Sequence, residues 1–160
     1  MKNVFIYRIK GIDFGLAEEN KTLTELFFGR TVPAGFAKAG FTKTETPLLK
    51  KAAAQIEEYF AGKRKKFTLP FAVHGTAFQQ AVWQALQTIP YGETRSYKEI
   101  AAAIGRPKAV RAVGMANNRN PISIIIPCHR VIGHDGKLVG YGGGLPLKQR
   151  LLELEQGVRG

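Results

Sequence analysis

Only one cysteine, Cys128, occurs among the 160 residues, so no intrachain disulfide can form, and a zinc site would need His74, His129 and His134 to converge on it. Acidic residues are scarce as well: 12 Asp and Glu stand against 24 Lys and Arg, a formal charge of +12 at pH 7. That imbalance says nothing about fold but predicts a polyanionic partner, nucleic acid before an anionic membrane surface. No apolar run reaches the roughly 18 residues of a membrane-spanning helix. The first ten residues are too short and too interrupted by charge to be the core of a signal peptide. The glycine-rich Gly140-Tyr141-Gly142-Gly143-Gly144 is followed by no Lys-Ser or Lys-Thr, which excludes a phosphate loop, and it fails the dinucleotide fingerprint. There is no internal repeat and no low-complexity tract. What remains is a reduced, basic, cytoplasmic protein of ordinary globular composition, 44% apolar and 22% charged, long enough for one medium domain or two small ones.

The chain changes character at His74-Gly75, which predicts an N-terminal α/β domain over 1–73 and a C-terminal, mostly helical domain over 74–160. In the first, Val4–Tyr7, Gly11–Ala17 and Thr22–Phe28 alternate as strands, with a turn at Glu19-Asn20-Lys21. Thr46-Pro47 reads as N-cap and first helical residue, and Leu49, Ala52, Ala53, Ile56 and Phe60 follow at helical spacing up to Gly62. A β-rich lobe with one helix results. Lys63–Lys66 reads as a solvated turn into an extended crossover, Phe67–Phe71.

In the second domain Thr76-Ala77-Phe78-Gln79 is a capping box that opens a helix with Phe78, Ala81, Val82, Ala85, Leu86 and Ile89 on one face. Ser96-Tyr97-Lys98-Glu99 is another, starting a short helix that ends at Gly105; Arg106-Pro107 opens the next, from Lys108 to about Asn117. The pair is a helix-turn-helix candidate. Val131-Ile132 and Leu138-Val139 flank the turn His134-Asp135-Gly136 and predict a hairpin. A last helix from Pro146 carries Leu147, Leu151 and Leu154, with Glu155 near its end.

Net charge divides evenly between the two halves, but residues 95–130 hold Arg95, Lys98, Arg106, Lys108, Arg111, Arg119 and Arg130 against Glu99 alone. Such a window is either a solvated helical surface or a face that tracks phosphates. Cys128, between isoleucines and His129, is either an inert buried thiol or a nucleophile whose thiolate is favoured by nearby cations and whose proton His129 takes. Asn117, Asn118 and Asn120 are loop formers, or one of them braces the site. The glycines after Tyr141 are a connector or a flexible lid, and His74 and His134 read as surface histidines.

Residues 119–130, Arg-Asn-Pro-Ile-Ser-Ile-Ile-Ile-Pro-Cys-His-Arg, resemble the active-site signature of the O6-alkylguanine-DNA alkyltransferases, or methylated-DNA–protein-cysteine methyltransferases. The resemblance runs from Gly75–Phe78 through Pro90–Thr94, Ser96-Tyr97, Arg111–Gly114 and Val139–Tyr141 to Glu155. It implies an α+β fold: a ribonuclease H-like sheet lobe with a helix, then a winged helix-turn-helix-like domain. It implies Cys128 as alkyl acceptor, His129 taking the thiol proton through a water, Glu155 orienting the imidazole and Asn120 bracing the loop. Tyr97 would rotate the target phosphate and help protonate the departing guanine, while Arg111 would fill the stack. Ser96, Ala112, Gly114, Arg119 and Arg130 would contact DNA, approached from the minor groove. Tyr141, Gly142, Gly143, Val139 and Val131 would wall the guanine pocket.

Some family members carry Ser where this chain has Gly142, and the zinc-binding cysteines of certain members have no counterpart, so no metal and no cofactor are expected. The implied partner is duplex DNA containing O6-alkylguanine, met by a monomer in the bacterial cytosol or nucleoid. The implied reaction is a single, irreversible transfer. Two other functions fit parts of the pattern: a helix-turn-helix protein that binds alkylated DNA without chemistry, and a thiol hydrolase built on Cys128, His129 and Glu155.

Overall fold

The computed structural model describes residues 1–157; the last residues of the expected C-terminal domain, 158–160, lie outside the described residues. The chain forms two compact units, Met1–Val73 and His74–Gly160.

In the first unit β1 (Lys2–Ile9), β2 (Ile12–Glu19) and β3 (Thr22–Phe28) form an antiparallel meander, and β4 (Phe41–Lys43) adds in parallel to β1, giving the order β3-β2-β1-β4. Both hairpin turns have two left-handed residues, Lys10-Gly11 and Asn20-Lys21, the primed geometry whose twist matches that of the flanking strands. α1 (Ala34–Ala39) precedes β4, and α2 (Pro47–Phe60) follows it. Thr46 caps α2 by accepting from the Leu49 N–H at 3.2 Å. Leu49, Ala52, Ala53 and Ile56 are buried as the spacing predicts, but Tyr59 completes the face where Phe60 was expected, and Phe60 is half-buried. The lobe therefore has two helices; α1 has no side-chain cap and buries no residue, so no periodic signal announced it. The crossover is held to the sheet by Leu23 N–H donating to Pro70 O and Ala72 N–H to Leu23 O, both at 2.9 Å.

The second unit is α3 (Ala77–Leu86), β5 (Arg95–Ser96), α4 (Tyr97–Ala103), α5 (Val110–Asn118), a single 3-10 turn at Cys128–Arg130, β6 (Val131–Ile132) and α6 (Leu145–Glu155). Both predicted capping boxes are formed, Thr76 with Gln79 and Ser96 with Glu99. α4 ends in a Schellman motif, with Gly105 N–H on Ala102 O and Arg106 N–H on Ala101 O, and Gly105 supplies the left-handed φ of +75°. α5 starts at Val110 rather than Lys108 because a turn, Ala109 N–H to Arg106 O, occupies the preceding residues.

Two larger expectations fail in this unit. β6 pairs in parallel with β5, Arg95 opposite Val131, rather than as a hairpin with Leu138-Val139; the 134–136 turn is present without a ladder. α6 buries Lys148, Leu151, Leu152 and Glu155 rather than the Leu147–Leu151–Leu154 stripe, because its inward face carries charge that the interior partners. The core of this unit is Val82, Trp83, Leu86, Ile100, Val113, Ile122, Ile126 and Leu151.

Candidate active site

The loop from Asn120 to Cys128 is closed on itself by the Asn120 side chain. The Asn120 amide donates to Ile126 O at 2.8 Å while its oxygen accepts from Ile122 N–H at 3.1 Å, so one side chain closes the loop from both ends. Within it Ile124 is buried at φ +73°, a left-handed conformation that costs an L residue about 1–2 kcal/mol. The Asn117 amide reaches the Cys128 carbonyl at 3.3 Å. Bracing is thus shared by Asn117 and Asn120, of which only Asn120 was singled out.

Cys128 starts the 3-10 turn and is 4% exposed, its thiol pointing at the Ser123 hydroxyl at 3.9 Å. Burial pushes the thiol up, against the pull of Asn120, Ser123 and the Lys148 charge. His129 is fully buried, and its Nε2 lies 2.7 Å from Glu155 Oε2. Burial lowers the imidazole below its usual range; Glu155 opposes this, and the Arg130 and Lys148 charges add to it. A neutral imidazole at neutral pH is a competent base. With the carboxylate on Nε2, proton exchange with the thiol falls to Nδ1.

Arg130 is corrected by the structure. Expected to contact DNA, it is buried, donating from Nε to Glu155 Oε1 at 2.7 Å, from Nη2 to Oε2 at 3.0 Å and from Nη1 to Ile89 O at 2.7 Å. A guanidinium whose fork is filled by a carboxylate has its donors committed inward. Gly92 completes the carboxylate's surroundings: its N–H is 3.4 Å from Glu155 Oε1, and at φ +84° any Cβ would stand 3.1 Å from the Glu155 carbonyl oxygen.

Lys148 is the group that sequence reasoning missed. It is fully buried, its ammonium donating to Val139 O at 2.8 Å and lying 5.9 Å from the centre of the Tyr97 ring. Burial lowers it to about 8, partly opposed by Cys128. The signal was available: 148, 151, 152 and 155 lie at i, i+3, i+4 and i+7, one helical face that ends in Glu155. Tyr97 donates to the same Val139 carbonyl at 3.0 Å. Burial and Cys128 raise the Tyr97 phenol and, more strongly, that of Tyr141, so both keep their protons at neutral pH. Val139 contributes this carbonyl and is itself 44% exposed, and Val131 is core. Gly142 is exposed and Gly143 half-buried.

The remaining predicted residues lie on the outer face of the helix pair. Arg111, Ala112 and Arg119 are exposed on or just after α5, and Met115 is 61% exposed beside them. Gly114 is half-buried, with the Tyr97 ring 3.9 Å from where a Cβ would be. The Ser96 hydroxyl is engaged in capping α4. His74 and His134 are exposed. Among the described residues no three His, Cys, Asp or Glu side chains converge as metal ligands.

Two family models match. One, described as the 6-O-methylguanine DNA methyltransferase DNA binding domain, covers residues 77–157; the other, its ribonuclease-like domain, covers 13–73. The constitutive methylated-DNA–protein-cysteine methyltransferase of Bacillus subtilis is 51% identical over 144 residues, 88% of this chain and 87% of its own. The Methanosarcina barkeri protein of the same name is 64% identical over 107 residues, 67% of this chain and 68% of its own. The crystal structure of the Mycobacterium tuberculosis O6-methylguanine methyltransferase superposes with a TM-score of 0.89 at 44% identity, covering 100% of this chain and 96% of that one. Mycobacterium tuberculosis OGT in complex with DNA gives 0.87 at 46% identity, covering 97% and 93%.

Proposed function

The chain belongs to the 6-O-methylguanine DNA methyltransferase family, and from that premise we infer that it repairs O6-alkylguanine in double-stranded DNA by moving the alkyl group onto its own Cys128. The observation that carries this reading is the buried His129–Glu155 pair, 2.7 Å apart, directly following the only thiol of the chain. A nucleophile, a neutral base and a carboxylate to orient it are what activation of a thiol requires.

The thiol proton passes through a water to His129 Nδ1, and Glu155 stabilises the resulting imidazolium. Sulfur attacks the alkyl carbon in line; the new carbon–sulfur bond forms as the carbon–O6 bond breaks, and the electron pair leaves on guanine. Tyr97, which holds its proton at neutral pH, turns from the Val139 carbonyl to the target nucleotide and helps protonate the departing base. Asn120 keeps the loop behind the sulfur rigid, and Tyr141 with Gly142 and Gly143 walls the guanine.

A base stacked in a duplex cannot reach a thiol that is 4% exposed, so the nucleotide is flipped out, at a cost of a few kcal/mol that is smallest for a mispairing base. Arg111, exposed near the start of α5, fills the vacated stack, and α5 approaches from the minor groove with Ala112, Gly114 and Arg119 along the backbone. The protein acts as a monomer in the cytoplasm and needs no cofactor. A thioether has no electrophilic carbonyl for water to attack, so each molecule reacts once.

Mixing the protein with a duplex carrying O6-methylguanine is expected to add one methyl group to the peptide containing Cys128, reaching a plateau at one per protein, and none to Cys128→Ser. Turnover beyond that plateau, or methylation of the serine variant elsewhere, would overturn the reading.

A further inference from the structure

Ser123 has no part in the relay above, yet the loop is shaped to bring it to the sulfur. Ile124 stands in the left-handed region at φ +73° although it is β-branched and buried, and the reversal is held by Ile125 N–H on Ser123 O at 2.9 Å and Ile126 N–H on Ile122 O at 3.0 Å. Strain of this kind persists where the surroundings over-determine it, and it clusters at functional sites. Its effect here is that Ser123 and Cys128, five positions apart, face each other across the loop.

The serine is 9% exposed among isoleucines, and Cys128 Sγ is the one side-chain atom its hydroxyl is bonded to among the described residues. At 3.9 Å the resting bond is long, as expected where the donor is a neutral thiol.

We propose that the Ser123 hydroxyl is a catalytic group of this site, accepting a hydrogen bond from the resting Cys128 thiol and donating one to the thiolate from which the alkyl transfer proceeds. The inference rests on Cys128 being the acceptor. A hydroxyl can serve both states because it rotates: when the thiol proton leaves for the imidazole, the serine proton turns to the sulfur and the bond becomes charge-assisted and shorter. The other groups that act on this sulfur are fixed in sign. Lys148 on α6 and the Asn120 amide favour the thiolate; Tyr97 on α4 and Tyr141 keep their protons and bear no charge; Glu155 and Arg130 reach it through His129. Ser123 supplies the hydroxyl that is bonded to the sulfur, and it can change from acceptor to donor as the proton leaves. Once alkylated, the sulfur has neither charge nor proton, and the hydroxyl is left with a weak acceptor.

The test uses Ser123→Ala and Ser123→Thr in the full chain, with folding checked by thermal melting. Two rates are followed against pH: carboxamidomethylation of Cys128 by iodoacetamide, read by mass, and benzyl transfer from free O6-benzylguanine. In Ser123→Ala the midpoint of both profiles rises by about one pH unit, so both reactions are about tenfold slower at pH 7 and recover above the new midpoint. Ser123→Thr, which keeps a hydroxyl, restores the midpoint. An unmoved midpoint in Ser123→Ala, whatever happens to its melting temperature, or a threonine variant that behaves like alanine, would overturn the proposal. Midpoints that shift as expected with iodoacetamide in a chain that accepts no benzyl group would instead overturn the acceptor reading of Cys128 and leave the hydroxyl–thiolate bond standing.

Discussion

The two units bury polar groups in opposite ways. In the first, the interior is Val4, Phe14, Leu16, Leu23, Leu49 and Ile56, and its buried polar residues are Glu18, Thr24 and Gln55, the last satisfied by the Thr68 hydroxyl and backbone. In the second, Asn117, Asn120, Ser123, His129, Arg130, Lys148 and Glu155 are all buried in the company of Cys128. Burying charge is expensive unless it is paired and hydrogen-bonded. A unit of this size that accepts a histidine, an arginine, a lysine and a glutamate in its core does so where chemistry requires them, whereas the sheet lobe buries a single charged residue, Glu18.

The largest expected effect that would break this contrast comes from Glu155→Gln. It leaves the Arg130 charge buried without its anion and takes the carboxylate from His129, so unfolding free energy should fall by about 3 kcal/mol in denaturant titration. Alkyl transfer should slow by a factor on the order of a hundred. A variant that melts normally and transfers at full rate would deny the carboxylate both roles.

Acid provides the next test. His129 is lowered in the folded state relative to the unfolded chain, so the unfolded state binds its proton first as pH falls. The stability this group contributes is complete above the unfolded value, about 6.5, and is lost as pH falls from there through the lowered folded value. Transfer, which already falls with the thiolate fraction, should fall more steeply on this limb as the base becomes protonated as well. His129→Gln should flatten the stability limb in pH-dependent melting, and an unchanged slope would sink the assignment.

Arg111→Ala should leave stability within about 0.5 kcal/mol, as for an exposed position. It should slow repair in duplex DNA more than benzyl transfer from the free base, which needs no flipping; equal losses would remove Arg111 from the stack. The smallest effect sharpens the contrast from the other side. Thr46→Ala removes the α2 cap and should lower stability by about 1 kcal/mol while alkyl transfer by the folded protein stays unchanged.

Where local chemistry decides structure, the sequence was a good guide. Both capping boxes, the Thr46-Pro47 start, the three meander strands and the Gly105 stop follow from residues acting on their immediate neighbours. Where distant partners decide, it was not. Arg130 looks like a surface cation until Glu155, 25 positions later, folds back onto it. Val131 has a hairpin partner in sequence but pairs with Arg95 instead. Lys148 breaks the rule that lysines mark the outer face of a helix, and its partners, the carbonyls of Val139 and Gly140 and the Tyr97 ring, lie far from it in sequence or on another element. The Cys128–His129–Glu155 constellation was legible through resemblance to a family; its hydrogen bonds, and the part of Ser123, required coordinates.

Trp83, the only tryptophan of the chain, donates its indole N–H to the Ala116 carbonyl at 2.8 Å. Ala116 lies on the helix that carries Arg111, one residue before the asparagine that bonds the Cys128 carbonyl. Indole emission shifts with the strength of that bond, so the protein contains its own optical gauge. A displacement of α5 on engaging a duplex would alter that bond and be readable in the ultraviolet emission of Trp83, without any attached dye.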